Sequence, residues 1–129
     1  MPAASHFILY VADQRRSTAF YSTVLGIEPR LDVPGMTEFT LPGGAVLGLM
    51  PAAGIHALLG PALAQVSAAP GTPKAELYLV VPQAGSYHAR ALMAGARELS
   101  PMLARDWGHV AGYSQDQDGY VLAFADLPA

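Results

Sequence analysis

Residues 5–26 read Ser-His-Phe-Ile-Leu-Tyr-Val-Ala-Asp-Gln-Arg-Arg-Ser-Thr-Ala-Phe-Tyr-Ser-Thr-Val-Leu-Gly, and the change of period inside this stretch decides the fold. From Ser5 to Val11 the alternation is that of a strand: Phe7, Leu9 and Val11 point to one face, His6, Ile8 and Tyr10 to the other. Asp13 is placed to cap a helix over 14–25, whose apolar side carries Ala19, Phe20, Tyr21 and Val24. Gly26 ends it, because glycine accepts the left-handed conformation that follows a last helical turn.

Outward from this stretch, short strands are predicted at about 29–33 and 36–41, then a turn at Pro42-Gly43-Gly44 and a strand over 45–50. The order is strand, helix, three strands, and it recurs. A strand is predicted over 75–81, with Glu76, Tyr78 and Val80 on one face, followed by a helix over 84–94 that Gly95 closes. Strands at about 97–101 and 109–115 precede the turn Asp116-Gln117-Asp118-Gly119 and a last strand over 120–125. Matching the two sets pairs His6 with Glu76, Gly26 with Gly95 and Gly44 with Gly119. The fold class is α+β, two βαβββ modules at about 5–51 and 75–126. A proline-rich linker joins them over about 52–73, with one helical turn around 56–60.

The 129 residues suit a single domain, 1–129, with a core of its own. Apolar residues make up 52% and charged ones 13%, which excludes a disordered chain. The absence of cysteine excludes disulfides, iron–sulfur clusters and thiolate zinc sites. Seven basic and ten acidic residues give a net charge of −3, so the chain lacks the basic footprint of a nucleic-acid binder. The 35 residues between Glu38 and Lys74 contain no Asp, Glu, Lys or Arg. Prolines at 42, 51, 61, 70 and 73 break that stretch too often for a membrane span. It suits a buried subunit interface or a core strand running into an alanine-rich loop. No basic segment followed by an apolar one opens the chain, so no secretory signal is expected and a cytoplasmic location is the expectation.

The runs His6–Asp13, Ser17-Thr-Ala-Phe20-Tyr21 and Leu25-Gly26 resemble the opening module of the vicinal oxygen chelate superfamily, which includes the glyoxalases, bleomycin-resistance proteins and extradiol dioxygenases. Tyr87, Gly95-Ala96, Trp107-Gly108 and Tyr113-Ser-Gln-Asp116-Gln-Asp118-Gly119 resemble its second module. The resemblance covers roughly residues 5–126. It implies curved sheets forming a half-open barrel around a ligand site, and a homodimer.

Metal-using relatives take their ligands from the first and last strands of the modules, positions that fall here on His6, Gly48, Glu76 and Ala123. Imidazole and carboxylate suit a divalent ion, but Gly48 and Ala123 offer no donor. No metal or other cofactor is therefore expected. His6 and Glu76 are expected at the polar end of an apolar pocket. Three roles compete: acid–base chemistry by Glu76 with His6, a polar clamp on a small ligand, or a pair that merely satisfies itself. Tyr10 and Tyr78 share the inward parity and are candidate ligand contacts, together with Met50, Trp107, His109 and Tyr113. Met50 is a candidate to fill the space a metal would take. One bulge between 107 and 115 would reverse the facing of the last three. His56 and His88 are read as having no role in the site, and Arg15, Arg16 and Arg90 as solvated helix residues.

The function expected is small-molecule binding without a metal. The alternative is an enzyme of lyase, isomerase or dioxygenase type, acting through Glu76 and His6 or through an incomplete divalent-metal site. Ser114–Gly119 imitates the start of a calcium loop, but Ala125 stands where a bidentate glutamate is required.

Overall fold

The switch of period at Asp13 is where strand becomes helix. In the structure, a computed structural model that describes residues 4–60 and 75–127, β1 (His6–Val11) leads into α1 (Gln14–Leu25). The Asp13 carboxylate accepts the Arg16 N–H at 3.1 Å, satisfying a donor of the first turn that has no partner within the helix. At the far end Gly26 takes φ 69°, and its N–H donates to the Ser22 carbonyl. Between the caps Ser17, Phe20, Tyr21, Val24 and Leu25 are buried, the spacing of one helical face.

Three strands follow: β2 (Leu31–Val33), β3 (Met36–Thr40) and β4 (Val46–Pro51). They form a sheet in the order β1-β4-β3-β2, with β1 parallel to β4 and the other pairs antiparallel. Residues directly opposite across a ladder share a face, so the register sorts the sheet into two sides. On one, Gln14 and Thr18 of α1 donate to the Thr37 hydroxyl at 2.9 Å each, above buried Val11, Phe39, Leu47 and Leu49. The other side, free of the helix, carries His6, Ile8, Tyr10, Met36, Glu38 and Gly48.

The expected linker begins as a helix. α2 spans Ala52–Leu59, starting directly after β4 instead of making one turn around 56–60. Its alanines and leucines are strong helix formers, and Ala52 and Ile55 give it a buried anchor on the unit. The rest of the expected linker, 61–74, lies outside the described residues.

The second sheet repeats the first. β5 (Glu76–Val80), α3 (Ala84–Met93), β6 (Arg97–Ala104), β7 (Val110–Gln115) and β8 (Val121–Asp126) give the strand order β5-β8-β7-β6. β6 runs three residues past its expected end. As an edge strand it tolerates Pro101, and register shifts between Glu98 and Ser100 and between Ser100 and Leu103 absorb the extra length. α3 buries Ala84, His88 and Ala91 on the face that carries Leu79, Leu122, Phe124 and Ser114. The Tyr87 ring stacks on Phe124 at 5.6 Å, and the Arg90 guanidinium lies 4.5 Å over Tyr87. Arg90 is thus a packing residue as well as a charged one. In the hairpin that mimics a calcium loop, the Asp116 carboxylate accepts the N–H groups of Asp118 and Tyr120; the acid builds a turn.

The architecture is α+β, two βαβββ modules. The chain divides into two compact units, Met1–Ala69 and Pro70–Ala129, each built on one module. Among the described residues no helix is long and apolar enough to cross a membrane.

Candidate functional site

The duplicated register puts corresponding residues in corresponding places. His6 lies opposite Val46, two positions before Gly48, and Glu76 lies opposite Val121, two positions before Ala123. In each unit the first residue of the first strand and the third of the last strand's matching run share the face opposite the module's first helix, α1 or α3.

In the first unit His6 meets a carboxylate from an unexpected strand. Its Nδ1 is 3.5 Å from Glu38 Oε2, and the other Glu38 oxygen accepts Arg30 Nε–H at 3.0 Å. The Glu38 side chain is 13% exposed, against 37% for His6 and 47% for Arg30; a carboxylate that sheltered needs such a partner. Glu38 was missed from the sequence because its pairing with Gly48 depends on register. Over Gly48 the space is apolar: a Cβ there would stand 3.1 Å from Ile8 Cγ1 and 3.2 Å from Met36 Sδ. Met50 shares this face and lies beside α2, with its Cγ 3.9 Å from where a Gly54 Cβ would be. Tyr10, opposite Met50, is half-buried.

In the second unit the helix-free face gathers aromatic and polar groups. Tyr78, Ala123 and Tyr113 lie abreast on β5, β8 and β7. The β7–β8 ladder is unbroken from Val110 to Gln115, so Tyr113 shares the face of Tyr78 and Ala123. The irregularity sits in β6 instead. The turn from Arg105 to His109 closes through Arg105 N–H to His109 O and Gly108 N–H to Arg105 O, with Gly108 at φ 98°, a conformation that favours glycine. That turn carries Trp107 and His109 onto β5. Trp107 Nε1–H donates to the Tyr78 hydroxyl at 2.9 Å, and Tyr78 Oη lies 2.6 Å from His109 Nδ1.

Arg105, which the sequence did not single out, anchors the turn. Its guanidinium donates to the carbonyls of Ala111 and Pro101 and to the Ser100 hydroxyl, and lies 5.0 Å over the Tyr113 ring. Burial raises the Tyr113 pKa above the usual tyrosine value, with the negative charges of Glu76 and Tyr78 adding to it and Arg105 opposing. Glu76 therefore acts on the Tyr113 hydroxyl while itself remaining exposed.

His88, outside the aromatic face, is a buried and paired residue of the packing. It is 5% exposed, its Nε2 is 2.8 Å from Glu98 Oε2, and its Nδ1 is buried without a partner among the described residues. It sits on the α3 side of the sheet, away from the aromatic face.

Two of the four expected ligand positions, Gly48 and Ala123, carry no donor side chain, and apolar atoms crowd the first of these places. Among the described residues no three His, Cys, Asp or Glu side chains gather as a metal site would require. A cleft of about 690 Å³ lies elsewhere on the first unit, along α1 and the residues leading into β3, lined by Gln14, Thr18, Glu28 and Asp32 among others.

A family model described as Glyoxalase/Bleomycin resistance protein/Dioxygenase superfamily matches residues 3–124. Among solved structures, a glyoxalase-related enzyme from Fulvimarina pelagi is 24% identical, with a TM-score of 0.81 over 99% of this chain and 90% of that one. A glyoxalase/bleomycin resistance protein/dioxygenase from Nocardioides is 26% identical, with a TM-score of 0.70 over 98% and 84%. A family enzyme from Burkholderia phytofirmans PsJN, 16% identical over 98% and 100%, shares the fold at a TM-score of 0.79. No curated protein matches the chain.

Proposed function

The chain belongs to the glyoxalase/bleomycin resistance protein/dioxygenase superfamily, and from that premise we propose that it binds an aromatic small molecule without a resident metal. The observation that carries this reading is the anchored aromatic cluster of the second unit. Trp107 is 57% exposed, although a large apolar ring is normally buried. It is held there by its N–H bond to Tyr78 and by a turn that Arg105 fastens at three acceptors. An exposed ring that is also fixed costs a ligand little ordering entropy on binding. Tyr113, half-buried and abreast of Tyr78 across Ala123, extends the same face. The side chains at the metal positions support sequestration over metal chemistry, since binding of this kind asks for shape and apolar area and no reaction.

The second reading, acid–base catalysis, draws on the proximity of His6 to Glu38. A carboxylate beside Nδ1 would orient the imidazole and leave Nε2 to handle a proton.

Elemental analysis of native, tag-free protein beside an identically prepared Glu76→Gln variant tests the proposal. Neither is expected to carry zinc, nickel, manganese or iron at stoichiometric level. A full equivalent in the native protein that the variant lacks would overturn metal-free binding. We also propose that the protein is a homodimer: Leu58 and Leu59 of α2 are 68% and 44% exposed, within the stretch that contains no charge. Light scattering on the native protein and on Leu58→Asp should give dimer and monomer masses.

A further inference from the structure

We infer that Tyr78 locks His109 in the tautomer that carries its proton on Nε2, making His109 a hydrogen-bond donor to a neutral carbonyl oxygen on a planar aromatic ligand. This rests on the aromatic-binding reading above and names the polarity of the ligand it serves.

Proton bookkeeping at one oxygen carries the inference. An indole N–H donates and cannot accept, so the 2.9 Å bond from Trp107 occupies a lone pair of Tyr78 Oη. The phenol has one proton of its own. Among the described residues its acceptor within reach is His109 Nδ1, at 2.6 Å. If Nδ1 carried a proton, Tyr78 Oη would face two donors while its own proton had no protein acceptor. The separation is also shorter than the usual N–H···O range of about 2.7–3.2 Å, as suits a phenol giving its proton to an imidazole lone pair. With Nδ1 accepting, a neutral ring holds its proton on Nε2.

Nε2–H has no hydrogen-bond partner among the described residues, while the rest of the turn is satisfied: the His109 carbonyl accepts from Arg105 N–H. A ligand lying on the Trp107 ring therefore meets a π surface whose own N–H is already used, beside one free donor. Its matching group is an acceptor. Glu76, on the same face of the sheet and close enough to act on Tyr113, repels a carboxylate, which leaves an uncharged carbonyl as the better fit.

Long-range ¹H–¹⁵N correlation of the imidazoles reads the tautomer directly. Nε2–H is expected for His109 in the unmodified protein, with the lock lost in Tyr78→Phe; Nδ1–H in the unmodified protein overturns the inference even if Tyr78→Phe fails to fold. The ligand polarity is read from the indole signal of Trp107, the chain's single tryptophan, during titration with 2-acetylnaphthalene and with 2-ethylnaphthalene. The ketone should bind about tenfold tighter, as one added hydrogen bond allows, and lose that preference in Tyr78→Phe. Equal binding of the two probes overturns the inference and leaves aromatic binding standing. No shift with either probe overturns both.

Discussion

Glu38 faces Gly48 directly across the β3–β4 ladder. The glycine offers no donor, and Ile8 and Met36 close over it; one strand away, the glutamate carboxylate stands 3.5 Å from His6 and is tied to Arg30. The charge partner of His6 within its own unit is therefore a β3 residue. An Arg-held carboxylate is a poor cation ligand, because the guanidinium already neutralises it.

Close packing over two glycines should separate by degree. At Gly48 a Cβ would press on the flexible end of Met36 and on Ile8 at 3.1–3.2 Å, but at Gly112 it would meet Met102 Sδ at 2.7 Å and the His88 ring at 2.9 Å. Gly48→Ala is expected to cost about 1 kcal/mol and Gly112→Ala about 3 kcal/mol. Urea unfolding measures both, and a milder effect at Gly112 would contradict the packing of His88 against β7.

Glu98 matters to stability through the buried ring it serves. Glu98→Ala would leave both nitrogens of His88 without a protein partner, at a cost of about 1–2 kcal/mol. The double variant His88→Leu with Glu98→Ala should be less destabilised than the sum of the single changes. A double-mutant cycle by denaturant unfolding decides; strict additivity would mean that the pair is not coupled.

Alkaline pH should weaken the fold through Tyr113. Its folded-state pKa is raised, so the native state favours the protonated phenol more than the unfolded chain does. That contribution is complete below the unfolded value of about 10 and is lost as pH rises through the folded one. Tyrosinate absorbance should lose a late-ionising component in Tyr113→Phe. Glu76→Gln should bring it earlier by removing a negative neighbour. An unchanged late phase in Tyr113→Phe would place the shifted group elsewhere.

Arg105→Lys should release the turn from Arg105 to His109 without unfolding the unit. Lysine keeps the charge but cannot reach three acceptors in a fixed fork. Trp107 should become more mobile, lowering its fluorescence anisotropy, and aromatic probes should bind about tenfold more weakly. Unchanged anisotropy would show that the turn stands without its arginine.

Much of the fold was legible because its causes are local. A period of two giving way to helical spacing, Asp13 before the helix and Gly26 after it are visible in the chain itself, and each recurs as structure. α2 was under-read because a proline-rich segment and Gly54 mask the helix-forming alanines and leucines of residues 52–59, and the end of β6 because Pro101 imitates a strand break. The site was legible in part. Tyr78, Trp107, His109 and Tyr113 were all named, but as separate contacts, and Glu38 and Arg105 were not singled out.

The sequence alone determined the βαβββ order, its duplication and which residues of β1 and β5 share a face, since dihedral preference and side-chain alternation act over neighbouring positions. Tertiary structure decided who meets whom. Tyr78 and His109 are 31 positions apart, and their bond depends on where β6 bulges, where β7 turns and how β8 registers between them. Those choices are set by hydrogen-bond ladders and packing among distant segments, so the polar tip of the aromatic cluster exists only once the second sheet has closed its strand order.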